Sequence, residues 1–179
     1  TVFPDIAIPS PNYSVAQAPD KDIYIGTESN GLYIYSENWK LKKHVPIDGI
    51  IATILPDNNG DIWLGLDETG ICLFNKNKQT FTWLHKDNTN LNNNSIRTFV
   101  SYGDSSILVG TFRGLNILNK KELTITPANI NIAGKGGLSH YSIHSMLIDK
   151  DQTLWIGTYS AGVNYHSPFY RPVSYITPN

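Results

Sequence analysis

Short apolar runs alternate with polar turns along nearly all of this chain, and the spacing leaves no room for helices. Residues 51–56 are apolar and β-prone. Asp57-Asn58-Asn59-Gly60 is a turn, with a glycine to supply the positive φ of a tight hairpin. Residues 61–66 form a second apolar run, Asp67-Glu68-Thr69-Gly70 a second turn, and 71–75 a third run. Lys76-Asn77-Lys78-Gln79 turns again into 80–85, which alternates like an outer strand with one wetter face. The same order predicts strands at 13–18, 22–27, 31–35 and 41–46, at 96–102, 106–111, 114–118 and 122–126, and at 143–148, 153–158, 162–166 and 172–176.

A four-residue theme keeps this order in step: Tyr24-Ile25-Gly26-Thr27, Trp63-Leu64-Gly65-Leu66, Leu108-Val109-Gly110-Thr111 and Trp155-Ile156-Gly157-Thr158. Its glycines are 39, 45 and 47 residues apart, and a second glycine follows each at an offset of 5, 5, 4 and 5. A period of this length marks a repeat architecture. Four-stranded antiparallel units at this period read as an all-β propeller, with blades at about 13–46, 51–85, 96–126 and 143–176. The first repeat, aligned on Ser14-Val15-Ala16-Gln17, reads as about two residues shorter at its inner strand than the others.

A blade inside a ring packs a neighbour on each face, so its second strand needs no polar side. Trp63 and Trp155 are therefore expected between blades, and the glycine of each theme permits close approach. Residues 1–8 fit the outer strand of a preceding blade. Propellers close with about 4–8 blades, so four could close alone, but a leading outer strand would then have no place; the whole of 1–179 is therefore expected to be part of a larger propeller. Apolar blade faces at its two ends would then be free to pair copies of the chain as a homodimer.

Charged residues make up only 16% of the chain and hydrophobic ones 40%, which suits strands buried on both faces. A net charge of −1 gives no basis for capturing nucleic acid or an anionic membrane. No apolar run is long enough to span a bilayer. Cys72, the one cysteine, sits between Ile71 and Leu73 and is expected to be a packing residue. It leaves the redox compartment open.

Two stretches carry a family resemblance. One is Leu91-Asn92-Asn93-Asn94-Ser95-Ile96-Arg97-Thr98-Phe99, followed by Leu108-Val109-Gly110-Thr111 and Gly114-Leu115-Asn116. The other runs from Gly137-Leu138-Ser139-His140 through Leu154-Trp155-Ile156-Gly157-Thr158 to Gly162-Val163-Asn164-Tyr165. Both resemble the two-component regulator propeller repeat. The chain departs from that pattern at Leu66, Leu108 and Gln152. The resemblance implies part of a seven-bladed propeller in the periplasmic sensor region of a Bacteroides-type hybrid two-component system. It implies a non-catalytic role in signal transduction, with an oligosaccharide as ligand. Kinase and membrane-anchoring parts would lie elsewhere in such a protein.

In a meander, successive turns alternate between the two rims. The loop between second and third strands therefore shares a rim with the loops that join blades. Functional residues concentrate on such loops. The candidates for ligand contact are Glu28, Asn30, Asp67, Glu68, Phe112, Arg113, Tyr159 and Ser160. Acidic and amide side chains can bond sugar hydroxyls, Arg113 can donate to a hydroxyl or an anionic substituent, and Phe112 and Tyr159 offer faces for stacking. No catalytic residue, cofactor or metal ligand is expected. His140 and His144 lack the helix that would put their spacing on one face. Arg97, Arg113 and Arg171 occupy dissimilar places, unlike the clustered arginines of a sialidase. Two rival readings are a scaffold that holds a protein partner and, less favoured, a carbohydrate-active enzyme using carboxylates such as Glu28, Asp67 and Glu68.

Overall fold

A computed structural model describes residues 8–128 and 138–168. The expected strands at 1–8 and 172–176, and Arg171, lie outside those residues, except for Ile8. Among the described residues fifteen strands are formed: β1 Asn12–Gln17, β2 Ile23–Thr27, β3 Leu32–Tyr35, β4 Leu41–Val45, β5 Ile51–Pro56, β6 Asp61–Leu66, β7 Gly70–Asn75, β8 Thr80–Leu84, β9 Ile96–Tyr102, β10 Ser106–Thr111, β11 Gly114–Asn119, β12 Ile125–Pro127, β13 Ile143–Ile148, β14 Leu154–Thr158 and β15 Val163–His166. They make four antiparallel sheets in chain order, β1–β4, β5–β8, β9–β12 and β13–β15. Among the described residues there is no helix, and none long and apolar enough to cross a membrane.

Each sheet is a blade. The first strands β1, β5, β9 and β13 lie side by side in that order, and the fourth strands β4 and β8 are the wettest, each exposed at four of five positions. The core is a set of layers between blades. Tyr24, Leu32 and Ile34 of the first blade meet Ile54, Ile62, Leu64 and Phe74 of the second. Trp63, Ile71 and Leu84 meet Ile96, Phe99, Ile107 and Val109. Leu108 and Leu115 meet Ile143, Leu154 and Ile156. A fourth group, Ile23, Ile25, Tyr33 and Tyr35, lies on the other face of the first blade with Ile8 and Trp39 packed against it.

The theme glycine is where adjacent blades come closest. A Cβ on Gly65 would stand 2.5 Å from the Cγ2 methyl of Ile96 in the next blade. Gly26 faces Ile51 and Gly110 faces Ile143 in the same way. The theme threonine locks the turn that follows. Thr111 Oγ1 donates to the Gly114 carbonyl at 3.0 Å and accepts from Arg113 N at 3.0 Å. Thr27 and Thr158 repeat this with Gly31 and Gly162. In the second blade Leu66 replaces the threonine and is fully buried instead.

Three expectations need correction. Trp155 is 40% exposed, against 1% for Trp63, because no blade among the described residues covers its face. The strand expected at 122–126 runs Ile125–Pro127, since Leu123 adopts a positive φ of 55° and still belongs to the turn. The first repeat is not short. Ser14 pairs with Gly26 as Thr53 pairs with Gly65, so the counterpart of Ile51 is Asn12. All four first strands carry a bulge just after this residue.

Candidate functional site

Four equivalent backbone bonds fasten the second-to-third-strand loops to the residues that enter each blade. Glu28 N donates to Pro11 O, Asp67 N to Ile50 O, Phe112 N to Ser95 O and Tyr159 N to Ser142 O. The two kinds of loop therefore do share a rim. The first residue of each loop, Glu28, Asp67, Phe112 and Tyr159, recurs once per blade along it.

Buried asparagines stiffen this rim where the loops between blades are long. Asn116 Oδ1 accepts from Asn92 N, and its amide nitrogen donates to Asn90 O. Asn164 does the same for the next loop through Ser139 N and Ser139 Oγ. The first two blades have Tyr33 and Cys72 at that place. In the Asn-rich loop, Asn88, Asn93 and Asn94 accept from the backbone nitrogens of His85, Ser95 and Lys86. These side chains shape their own turn, as asparagine commonly does.

The rim brings two of the candidates together through a residue that sequence reasoning left out. The Arg97 guanidinium lies 3.3 Å from Asp67 Oδ2 and 6.0 Å from the centre of the Phe112 ring. Asp67 comes from the second blade, Arg97 and Phe112 from the third. Asp67 Oδ1 is buried with no hydrogen-bond partner, while Phe112 is 48% exposed. Arg97 reads as an ordinary strand residue, but it is the bulge residue of β9, skipped in the pairing with β10. Bulges re-aim side chains. The available signal was the repeated start Ile-x-Thr/Ser at Ile51, Ile96 and Ile143, in which x is Ala52, Arg97 and His144.

The other candidates are dispersed along the same rim. Glu28 and Asn30 lie a blade away on one side, and Asn30 offers its carbonyl to His44 Nε2 at 2.6 Å. Glu68 and Arg113 are exposed at the loop tips beside the cluster. Tyr159 and Ser160 are exposed a blade away on the other side. His140 accepts from Ser142 N through Nδ1.

The opposite rim holds an ion-pair network between the first two blades. Lys76 Nζ donates to Asp20 Oδ2 at 2.6 Å and to Asp22 Oδ2 at 2.8 Å, and Lys42 reaches Asp22 at 2.6 Å. Burial works to raise the Asp22 carboxyl, but the two lysine bonds outweigh it and hold it below the usual carboxylate range. The bond from Lys76 likewise lowers Asp20. Lys76 itself is raised: its two carboxylate bonds overcome a burial effect that acts to lower it. A cavity of about 220 Å³ lined by Asp20, Tyr24, Asn59 and Lys76 opens here, with its charges already paired. Lys120 makes a like bond to Asp57 at 3.0 Å between the second and third blades. This network is a clamp between blades. Cys72 is fully buried, and burial pushes its thiol up to about 12.

The two component regulator propeller family matches residues 137–160. The chain carries a two-component regulator propeller repeat. No curated protein matches it. Solved structures do. The extracellular domain of a protein described as a hybrid two component system in B. thetaiotaomicron is 29% identical, with a TM-score of 0.62, over 84% of this chain and 19% of that one. A second such domain from the same organism is 22% identical with a TM-score of 0.68, over 86% of this chain and 21% of that one. PorZ, a surface component of the type-IX secretion system of Porphyromonas gingivalis, is 18% identical with a TM-score of 0.64, over 88% of this chain and 24% of that one. The propeller repeats described here thus span about a fifth to a quarter of the length of these structures. At 22% and 18% identity, the last two speak for the fold alone.

Proposed function

We propose that this chain is a ligand-sensing segment of the periplasmic input domain of a hybrid two-component signalling protein, that it is not catalytic, and that its ligand is an oligosaccharide. The family match at 137–160 and the 29% identical extracellular domain support the sensor role. The observation that carries the ligand is the cluster of Asp67, Arg97 and Phe112 across two blades. A half-exposed aromatic ring offers a face to the C–H side of a pyranose. A guanidinium beside it donates to hydroxyls or to an anionic substituent, and Asp67 holds that guanidinium in place from the neighbouring blade. Glu28, Asn30, Glu68, Arg113, Tyr159 and Ser160 would extend the contact along the rim. The engagement of Asp67 by Arg97 weighs against its serving as one of a hydrolytic carboxylate pair.

The test is thermal unfolding of the chain across a panel of plant and host oligosaccharides, run beside Phe112→Ala. The expected result is a raised midpoint with at least one glycan, reflecting about 1–3 kcal/mol of added stability near saturation, and its loss in the variant. A panel that leaves the midpoint unmoved, or a rise that survives Phe112→Ala, contradicts the reading.

A further inference from the structure

The charges of the rim are sorted by blade. On the first two blades its loops carry Glu28, Asp48 and Glu68, all exposed, together with Asp67. The long loop that leads into the third blade balances Lys86 with Asp87. On the third and fourth blades the rim holds Arg97 and Arg113, and among the described residues it holds no carboxylate there. Three exposed aromatic rings stand on that same half, Phe112, Tyr141 and Tyr159, at 48%, 75% and 75%.

The two arginines differ in state. Arg97 is paired with Asp67 across the blade boundary, so its charge is matched. Arg113 is exposed at the loop tip, and its guanidinium has no partner among the described residues. Its backbone is held, because Arg113 N donates to Thr111 Oγ1 at 3.0 Å inside a turn that Thr111 closes onto Gly114. A fixed backbone next to Phe112 therefore presents an unmatched cation. His144, the bulge residue of β13, repeats the place of Arg97 one blade on and adds an exposed ring N–H to the same half.

We propose that the oligosaccharide read on this rim is acidic, and that Arg113 takes its carboxylate or sulfate while Phe112 stacks on the sugar ring that bears it. The inference rests on the ligand reading above and narrows it to a class. A guanidinium matches the two oxygens of a carboxylate or sulfate with two parallel N–H donors, and a bond to an ionised group is about twice as strong as one to a hydroxyl. Asp67 and Glu68 belong to the second blade, so an acidic residue placed there would meet like charge. The ligand is thereby oriented: its anionic residue lies over the third and fourth blades, and a neutral residue faces the second.

The test pairs each charged probe with its neutral counterpart. Isothermal titration compares an oligogalacturonide with its carboxyl-reduced form, and a carrageenan oligosaccharide with its desulfated form, beside the neutral members of the thermal panel. Wild type, Arg113→Gln and Lys121→Gln are titrated, with circular dichroism confirming the fold; Lys121 is an exposed cation on the opposite rim and controls for net charge. The expected result is that the charged member of at least one pair binds about tenfold tighter than its counterpart. Which pair responds tells carboxylate from sulfate. Arg113→Gln should remove that advantage and Lys121→Gln should keep it. Neutral members that bind as tightly, an advantage that survives Arg113→Gln, or an equal loss in Lys121→Gln overturns the proposal. A neutral glycan that binds while both charged probes fail overturns it and leaves the ligand reading standing, whereas binding of no glycan at all takes down both.

Discussion

Ile96 of the third blade stands directly against Gly65 of the second, with its Cγ2 methyl where a glycine Cβ would be. The same pairing joins the first blade to the second and the third to the fourth, so the repeat period is a packing rule before it is a functional one. Gly65→Ala should cost about 1–3 kcal/mol, because Thr53 and Ile96 both crowd the site. Gly157→Ala should cost less, since the three nearest atoms all belong to Ser145 of its own blade and its hydroxyl can turn away. Urea unfolding of the two variants checks the order. Equal costs would mean that the blade contact is not what reserves the position for glycine.

Thr111→Val should cost about 1–2 kcal/mol by leaving Arg113 N and the Gly114 carbonyl without their bonds. The threonine is fully buried and valine is of similar size, so the loss isolates the hydroxyl. Equilibrium unfolding gives the cost, and amide exchange at Phe112 and Arg113 should quicken as the loop loosens.

Much of this was legible in the sequence, for physical reasons that differ by position. The strand order followed from apolar runs and turn residues, and loops that share a rim followed from meander geometry. Arg97 was not legible as a rim residue, because a bulge is a departure from the period-2 pairing that strand reading assumes. Asn12 was hidden because it is polar: it precedes Gly26 by 14 residues, as Ile51 precedes Gly65, but with no isoleucine there the strand was started at Ser14 and the first repeat seemed short. Trp155 was misplaced because its pattern matches Trp63, and a pattern within one blade does not reveal whether a neighbour covers it. Asp67 was correctly placed on the rim, but its partner Arg97 lies 30 residues away on another blade.

The clamp formed by Lys76 with Asp20 and Asp22 should make stability depend on pH in a defined direction. Both carboxyls are lowered in the folded state from an ordinary value of 3.8, so their contribution is present above that value and is lost as pH falls through the lower folded values. Lys76 is raised from 10.5, so its contribution is present below that value and fades as pH rises above it. Lys76→Met should therefore cost about 2 kcal/mol near neutrality, with Lys42 left to hold Asp22. The gap to wild type should close in strong acid. Thermal unfolding from pH 2 to 8 measures it, and a gap that stays constant over that range would count against the clamp.

Cys72 should be silent in the native protein. Its thiol is fully buried and pushed up to about 12, so little thiolate exists at pH 8. Ellman's reagent should label it only after denaturation. Rapid labelling of the folded chain would show that the layer between the first two blades opens readily.

The central claim, that a ligand is read on the rim by Asp67, Arg97 and Phe112, is tested most directly by two-dimensional amide NMR of the labelled chain titrated with the oligosaccharide panel. The account predicts that one class of glycan shifts the amides of Asp67, Glu68, Arg97, Phe112 and Arg113 together, with saturation at a common affinity. Shifts confined to the opposite rim around Asp20 and Lys76, or to the free face around Trp155 and Val163, would contradict it, as would a panel that moves no rim amide at all.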